Sequence, residues 1–250
     1  MIIGSKIYHQ NKIYNSLDWA KENIDNAPDG SIFIADEHEK ARARQGRPWI
    51  FNKGQLAITI ILKPQNINSI KHTNLSLRLN QLNMAITLGI LKILRKYDIE
   101  LKWSNDFYYK GKKLGGILSQ VIWKNNSIIG IIFGFGINVN NEIPKLDNKY
   151  YKAISIKEIT GKKIDKNELE KNIFKSIDLF YKKWLDQKYN EIFLEWRKNQ
   201  DYIGKTVTVH RQDTSWITGI FKDVLENGDM VLKKGSEKFL IPFHVVDNLY

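Results

Sequence analysis

The 250-residue chain contains no cysteine. That absence removes disulfides, thiolate metal sites and a cysteine nucleophile together. The five histidines, His9, His38, His72, His210 and His244, are scattered without ligand spacing, which argues against a structural zinc. Long apolar runs are missing as well. No stretch approaches the ~18 uninterrupted apolar residues of a membrane span, and the opening Met1-Ile2-Ile3-Gly4-Ser5-Lys6 has no apolar signal-peptide core. A cytoplasmic location away from membranes is the expectation. Acidic residues are the minority, 27 against 39 Lys and Arg, giving a formal charge of +12. Basic surface attracts phosphate whatever the sequence. The lysines are spread along the chain, however, and no signature of a DNA-reading helix occurs, so sequence-specific DNA binding is not expected. The same charge suits ATP and an acidic protein substrate.

What is present reads as a catalytic unit over residues 1–202 followed by a small all-β unit over 203–250. Ser16 caps a short helix with Leu17, Ala20 and Ile24 on one face. Residues 31–35 and 55–62 are compact apolar runs, read as strands, with a basic segment between them. Leu75, Leu79, Leu82, Ile86, Ile90, Ile93 and Leu94 recur at helical spacing without proline, which predicts a long helix packed on a sheet. Residues 101–103, 116–124 and 127–138 are further strands, the last two joined by an Asn125-Asn126 turn. Asp165-Lys166-Asn167-Glu168 has capping-box form ahead of a helix running to Trp184, and another helix covers 189–199. After Tyr202 the pattern becomes short β runs separated by turns such as Glu226-Asn227-Gly228-Asp229, suggesting a small barrel.

Three segments carry chemistry. Lys102-Trp103-Ser104-Asn105-Asp106 is followed by Gly111-Lys112-Lys113-Leu114-Gly115-Gly116, placing the separated Lys102 and Lys113, an amide and a carboxylate around a glycine-bearing turn. Those groups bind and activate a nucleotide phosphate, where fixed cations stabilise charge gathering at phosphorus. Arg42, Arg44 and Arg47 cluster beside Gly46 and Trp49 in a loop suited to closing over an anionic reactant and excluding water. Gly134-Phe135-Gly136-Ile137-Asn138 lacks the third glycine and following helix of a dinucleotide fingerprint, so a Rossmann reading fails.

In order and spacing these motifs resemble the biotin protein ligases, over nearly the whole chain. The resemblance implies an α+β fold, with a mixed sheet and flanking helices like those of class II aminoacyl-tRNA synthetases, and a C-terminal SH3-like barrel. It implies the short form without a DNA-binding domain. It also implies that biotin and MgATP give biotinyl-5′-AMP, from which biotin passes to a lysine of a biotin carboxyl carrier domain. Lys113, Arg44 and Lys102 are then catalytic. Ser16, Leu17, Asp18, His38, Arg42, Arg44, Gly46, Trp49, Lys113, Gly115 and Gly116 fall at biotin. Arg47, Trp49, Lys102, Asn105, Asp106 and Asn138 fall at the nucleotide, with Asp106 near its magnesium. ATP and Mg²⁺ act as co-substrate, no prosthetic group is implied, and a homodimer formed through a sheet edge is compatible with the family.

The chain departs from the family pattern at several points. Ala41 and Ala43 replace two loop glycines, Ser16-Leu17-Asp18 stands for Ser-Thr-Asn, and His38 stands where glutamine is frequent. Phe243-His244-Val245-Val246 replaces a Gly-Glu-Val-Ser-like ending. A weaker or retuned biotin pocket follows, since loss of one neutral hydrogen bond costs about 0.5–1.5 kcal/mol. The same departures keep two rivals in play: a lipoate- or octanoate-type acyl ligase of the same fold, and a non-catalytic homologue that binds biotin or nucleotide.

Overall fold

The structure, a computed structural model, describes residues 1–40, 49, 51–144, 152–211, 215–242 and 246–249. The first part of the chain contributes β1 (Ile7–Ile13), α1 (Ser16–Glu22), β2 (Ser31–His38), β3 (Leu56–Leu62) and the long α2 (His72–Leu94). The short β4 (Glu100–Lys102) and β5 (Asp106–Tyr109) come next, followed by the long hairpin β6 (Lys112–Lys124) and β7 (Ser127–Ile137). Three helices then follow, α3 (Ile156–Thr160), α4 (Lys166–Leu185) and α5 (Tyr189–Lys198). The chain closes with β8 (Thr206–Arg211), β9 (Trp216–Val224), β10 (Met230–Lys234), β11 (Glu237–Ile241) and β12 (Val246–Leu249).

β1 to β7 form one seven-stranded sheet in the order β1-β2-β3-β7-β6-β5-β4, and β8 to β12 a separate five-stranded sheet in the order β11-β10-β9-β8-β12. β1 and β2 are parallel and the remaining neighbours antiparallel, so the large sheet is mixed. The α+β architecture read from the sequence is thus what the chain adopts.

Side chains alternate faces along a strand. In β7 the two sets differ: Ile131, Phe133, Phe135 and Ile137 are buried in the main core, while Gly134 and Gly136, on the opposite face, are half-buried. The core set packs under α2, α4 and α5 through Leu82, Ile86, Ile90, Leu94, Ile173, Ile177 and Trp196. The other face is covered at one end only. There Ala20 of α1, and Ile24 just after it, lie on Phe33, Ile61, Ile122 and Ile132, with Tyr8 stacked on Phe33 at 4.5 Å.

Local signals explain most boundaries. Asp165 caps α4 by accepting from the amides of Asn167 and Glu168. Asn125 and Asn126 both take positive φ in the β6–β7 turn, a conformation asparagine tolerates. One cap is corrected: Asn15, not Ser16, caps α1, its side chain accepting from the amides of Leu17 and Asp18. Ser16 is thereby freed to turn toward the sheet. β6 also begins at Lys112, before the expected start at 116, which places Lys113, Gly115 and Gly116 on the strand itself.

Candidate functional site

Ala57 on β3, Gly136 on β7, Gly116 on β6 and Asp106 on β5 lie in register across four adjacent strands. They sit on the face of the sheet opposite the main core, beside the end that α1 covers. The row is therefore a floor made almost entirely of backbone. A Cβ at these glycines would displace a neighbour: one on Gly136 would lie 2.8 Å from the Trp49 indole, and one on the nearby Gly134 would lie 2.7 Å from Leu17 Cδ2. A Cβ on Gly116 would collide with the Asp106 carboxylate. The Gly134-x-Gly136 motif thus lets α1 and Trp49 lie directly on β7. Ser16 stands beside them, its hydroxyl accepting from Thr59 Oγ1 at 2.9 Å.

The far end of the floor is cationic. Lys113 Nζ donates to Asp106 Oδ2 at 2.8 Å, with both side chains largely buried. The Lys113 backbone is clamped on its other side, its amide donating to Lys152 O and its carbonyl accepting from Ile154 N. Lys102 pairs with Asp106 across β4–β5 and so shares its face. It is 7% exposed, and its ammonium lies 4.3 Å from the Tyr108 ring centre and 5.6 Å from that of Tyr202. Burial pulls its pKa down to about 8, with Lys113 adding repulsion and Asp106 opposing both. A cation held this way is poorly solvated.

The amides read as nucleotide ligands are buried. Asn138 Oδ1 accepts from Gln55 Nε2 at 2.8 Å and Asn141 Nδ2 at 3.2 Å, tying β3, β7 and the following loop into one network. Asn105 donates from Nδ2 to Ile117 O and accepts from the Ser104 hydroxyl, fixing the turn that precedes Asp106. Both residues hold the backbone on which the cationic end rests.

His38 ends β2, its ring 4.6 Å from that of Phe51. Its two ring nitrogens and the Trp49 Nε1 are buried with no hydrogen-bond partner among the described residues. Burial lowers the His38 pKa to about 4 and keeps the ring neutral. Asp18, in the first turn of α1, borders an open groove with Gln10, Tyr14 and Glu22. Gly115 pairs with Ile137, and a Cβ there would collide with the carbonyl oxygen of Gly136. Arg42, Arg44, Gly46 and Arg47 lie outside the described residues.

Thr59, Gln55, Phe51, Tyr108 and Tyr202 were not foreseen in the site. Tyr108 carried a signal, since it stands two residues after Asp106 on one strand and so shares its face. Among the described residues no three His, Asp or Glu side chains gather as a metal cluster. Asp106 is a lone carboxylate, which is the donor set magnesium takes when substrate phosphates supply other ligands.

The chain belongs to the Biotin/lipoate A/B protein ligase family, whose profile matches residues 7–138. Within it the similar proteins are biotin ligases. The bifunctional ligase/repressor BirA of Bacillus subtilis is 28% identical over 200 residues, covering 78% of this chain and 59% of that protein. The chain thus spans under two thirds of the length of the Bacillus relatives it matches. The biotin--[acetyl-CoA-carboxylase] ligase of Paracoccus denitrificans is 23% identical, with 85% of this chain and 88% of that one covered. Among solved structures, the Aquifex aeolicus biotin protein ligase in complex with biotin and ATP superposes with a TM-score of 0.81 at 26% identity, over 98% of this chain and 99% of that one.

Proposed function

We propose that the protein is an ATP-dependent biotin protein ligase, with the acid lying on the glycine floor and the nucleotide phosphates at its cationic end. The observation that carries this is the convergence of Lys113, Lys102 and Asp106 at one end of a backbone floor walled by Leu17 and Trp49. Relatives bearing biotin and ATP point the same way.

In the first half-reaction a carboxylate oxygen of biotin attacks the α-phosphorus of ATP. The new O–P bond forms as the bond to pyrophosphate breaks, giving biotinyl-5′-AMP. Two anions must meet for this, and Lys113 and Lys102 offset their repulsion while stabilising charge that gathers on the phosphoryl oxygens. Asp106 would hold a magnesium ion bound with the nucleotide, which would supply screening of the phosphate charge. In the second half-reaction a lysine amine of a carrier domain attacks the acyl carbon; the amide forms, AMP leaves and the amine loses a proton. No enzyme nucleophile is needed. Arg42, Arg44 and Arg47, with Gly46, are assigned to a loop that retains the adenylate. Ser16, Leu17, Asp18, His38, Trp49 and Gly115 are assigned to biotin, and Asn105 and Asn138 to shaping the nucleotide pocket.

The unpartnered nitrogens of His38 and Trp49 support a polar ligand that completes their hydrogen bonds. We assign the chemistry to residues 1–202, a smaller all-β unit to 203–250, and the reaction to the cytoplasm, where carrier domain and ATP meet. The test is exchange of labelled pyrophosphate into ATP with biotin, lipoate or octanoate as acid. Exchange with biotin, lost in Lys113→Ala by about 10²–10³-fold, supports the reading. Exchange only with lipoate or octanoate makes it an acyl ligase of another acid, and silence with all three by a folded chain overturns adenylation.

A further inference from the structure

The cationic end of the site stands on the β4–β5 turn, which Asn105 ties to β6 from one side. β5 has four residues paired with β6, whereas β4 is a three-residue strand at the sheet edge, paired within the sheet only with β5. So short an edge strand gains little from its own ladder. Support comes from the far end of the chain at three consecutive positions. The Leu101 amide donates to Asp201 Oδ2 at 2.6 Å, and the Leu101 carbonyl accepts from the Asp201 amide at 3.2 Å. The Lys102 ammonium faces the Tyr202 ring. The buried Trp103 indole Nε1 donates to the carbonyl of Gly228 at 2.9 Å.

Gly228 belongs to the turn between β9 and β10 and has φ +88°, the left-handed region that favours glycine. That turn is docked against α2, where Asn80 Nδ2 donates to the carbonyl of Asn227 at 2.7 Å. A small cleft of ≈ 20 Å³ lies beside the turn among Met84, Ser104, Trp196 and Gly228. The indole of Trp103 and the turn are joined by their hydrogen bond.

We propose that Trp103 is a positioning residue: through its hydrogen bond to Gly228, the small C-terminal sheet sets the place of Lys102 and Asp106 at the phosphate end of the site. The inference rests on the adenylating function above. Lys102 precedes Trp103 directly and Asp106 closes the same hairpin, so a shift of the indole moves both. The floor under the acid, made by β3, β7 and β6, does not depend on this contact.

The test is pyrophosphate exchange by the full chain with ATP and biotin varied separately. Trp103→Phe removes the N–H and keeps most of the ring, Gly228→Ala forces a side chain into a left-handed backbone, and the two are also combined. Gly235→Ala is the control, because Gly235 has φ +59°, lies in the β10–β11 turn and has no neighbour within 4 Å of an added Cβ. Each single variant at the seam should raise the KM for ATP about two- to tenfold and leave that for biotin unchanged. The double variant should do little more than the worse single one, since both break the same bond. Gly235→Ala should change neither. An unchanged KM for ATP in Trp103→Phe, a loss in kcat alone, or fully additive effects would overturn the proposal. If the unaltered chain shows no exchange, the proposed function fails instead, and the dissociation constant for ATP in the same variants, by calorimetry, decides whether Trp103 positions the site.

Discussion

The ammonium of Lys113 and the carboxylate of Asp106 meet at 2.8 Å directly over Gly116, and the absence of a side chain at 116 is what allows the pair to close. Gly116→Ala should force Asp106 off this position while leaving the core face of β6 alone. The expected outcome is a fall of about 10²-fold in biotin-dependent exchange, with a melting transition still cooperative by calorimetry. Full activity in this variant would mean the pair is not part of the reacting geometry.

Lys102 titrates within reach of ordinary assays, because burial brings its pKa to about 8. It is charged below that value and neutral above it. In the free protein kcat/KM for ATP should therefore decline as pH rises through about 8. Lys102→Arg, whose guanidinium stays charged, should remove that decline even if its absolute activity is lower. Identical profiles for the two proteins would assign the titration elsewhere.

His38 has the opposite pH signature, in stability. Its folded-state pKa is lowered to about 4 by burial, against 6.5 when solvated. Between these values the unfolded chain binds more proton, so this group adds stability as pH rises through the window and withdraws it on acidification. Thermal melts from pH 7 to pH 4 should show a shallower loss in His38→Gln than in the unaltered chain. Parallel curves would exclude the imidazole as the source.

Leu17 lies on Gly134 and presents an apolar wall to the floor. Leu17→Thr should offer a donor and acceptor at the floor and tighten biotin by about two- to tenfold. Isothermal titration with biotin reads the change directly. No gain, or a loss, would show that the ligand does not address this wall.

Legibility followed distance along the chain. The helix of α2 was legible because one face repeats Leu82, Ile86, Ile90 and Leu94, all buried, and the β6–β7 turn because Asn-Asn accepts positive φ. The cap of α1 was misread by one residue, since Asn15 and Ser16 are both good caps and only the bond to Thr59 shows what Ser16 does instead. The exposed edge strand β1 escaped notice: its burial pattern is almost entirely outward, so it lacks the alternation that marks a half-buried strand. Lys102, Asp106 and Lys113 could be named from spacing. Tyr202 and Gly228 could not, because only the tertiary fold brings them to Lys102 and Trp103.

A binding floor of bare backbone also limits how such a protein can diverge. Any side chain at 116, 134 or 136 meets Asp106, Leu17 or Trp49, so no single codon change there reshapes the surface without displacing what stands on it. Heritable variation in ligand preference is thus channelled into the walls. Leu17 hangs from a short helix and His38 from a strand end. An engineer seeking to turn this chain toward a longer or differently headed acid would begin a library at those two positions and leave the sheet untouched.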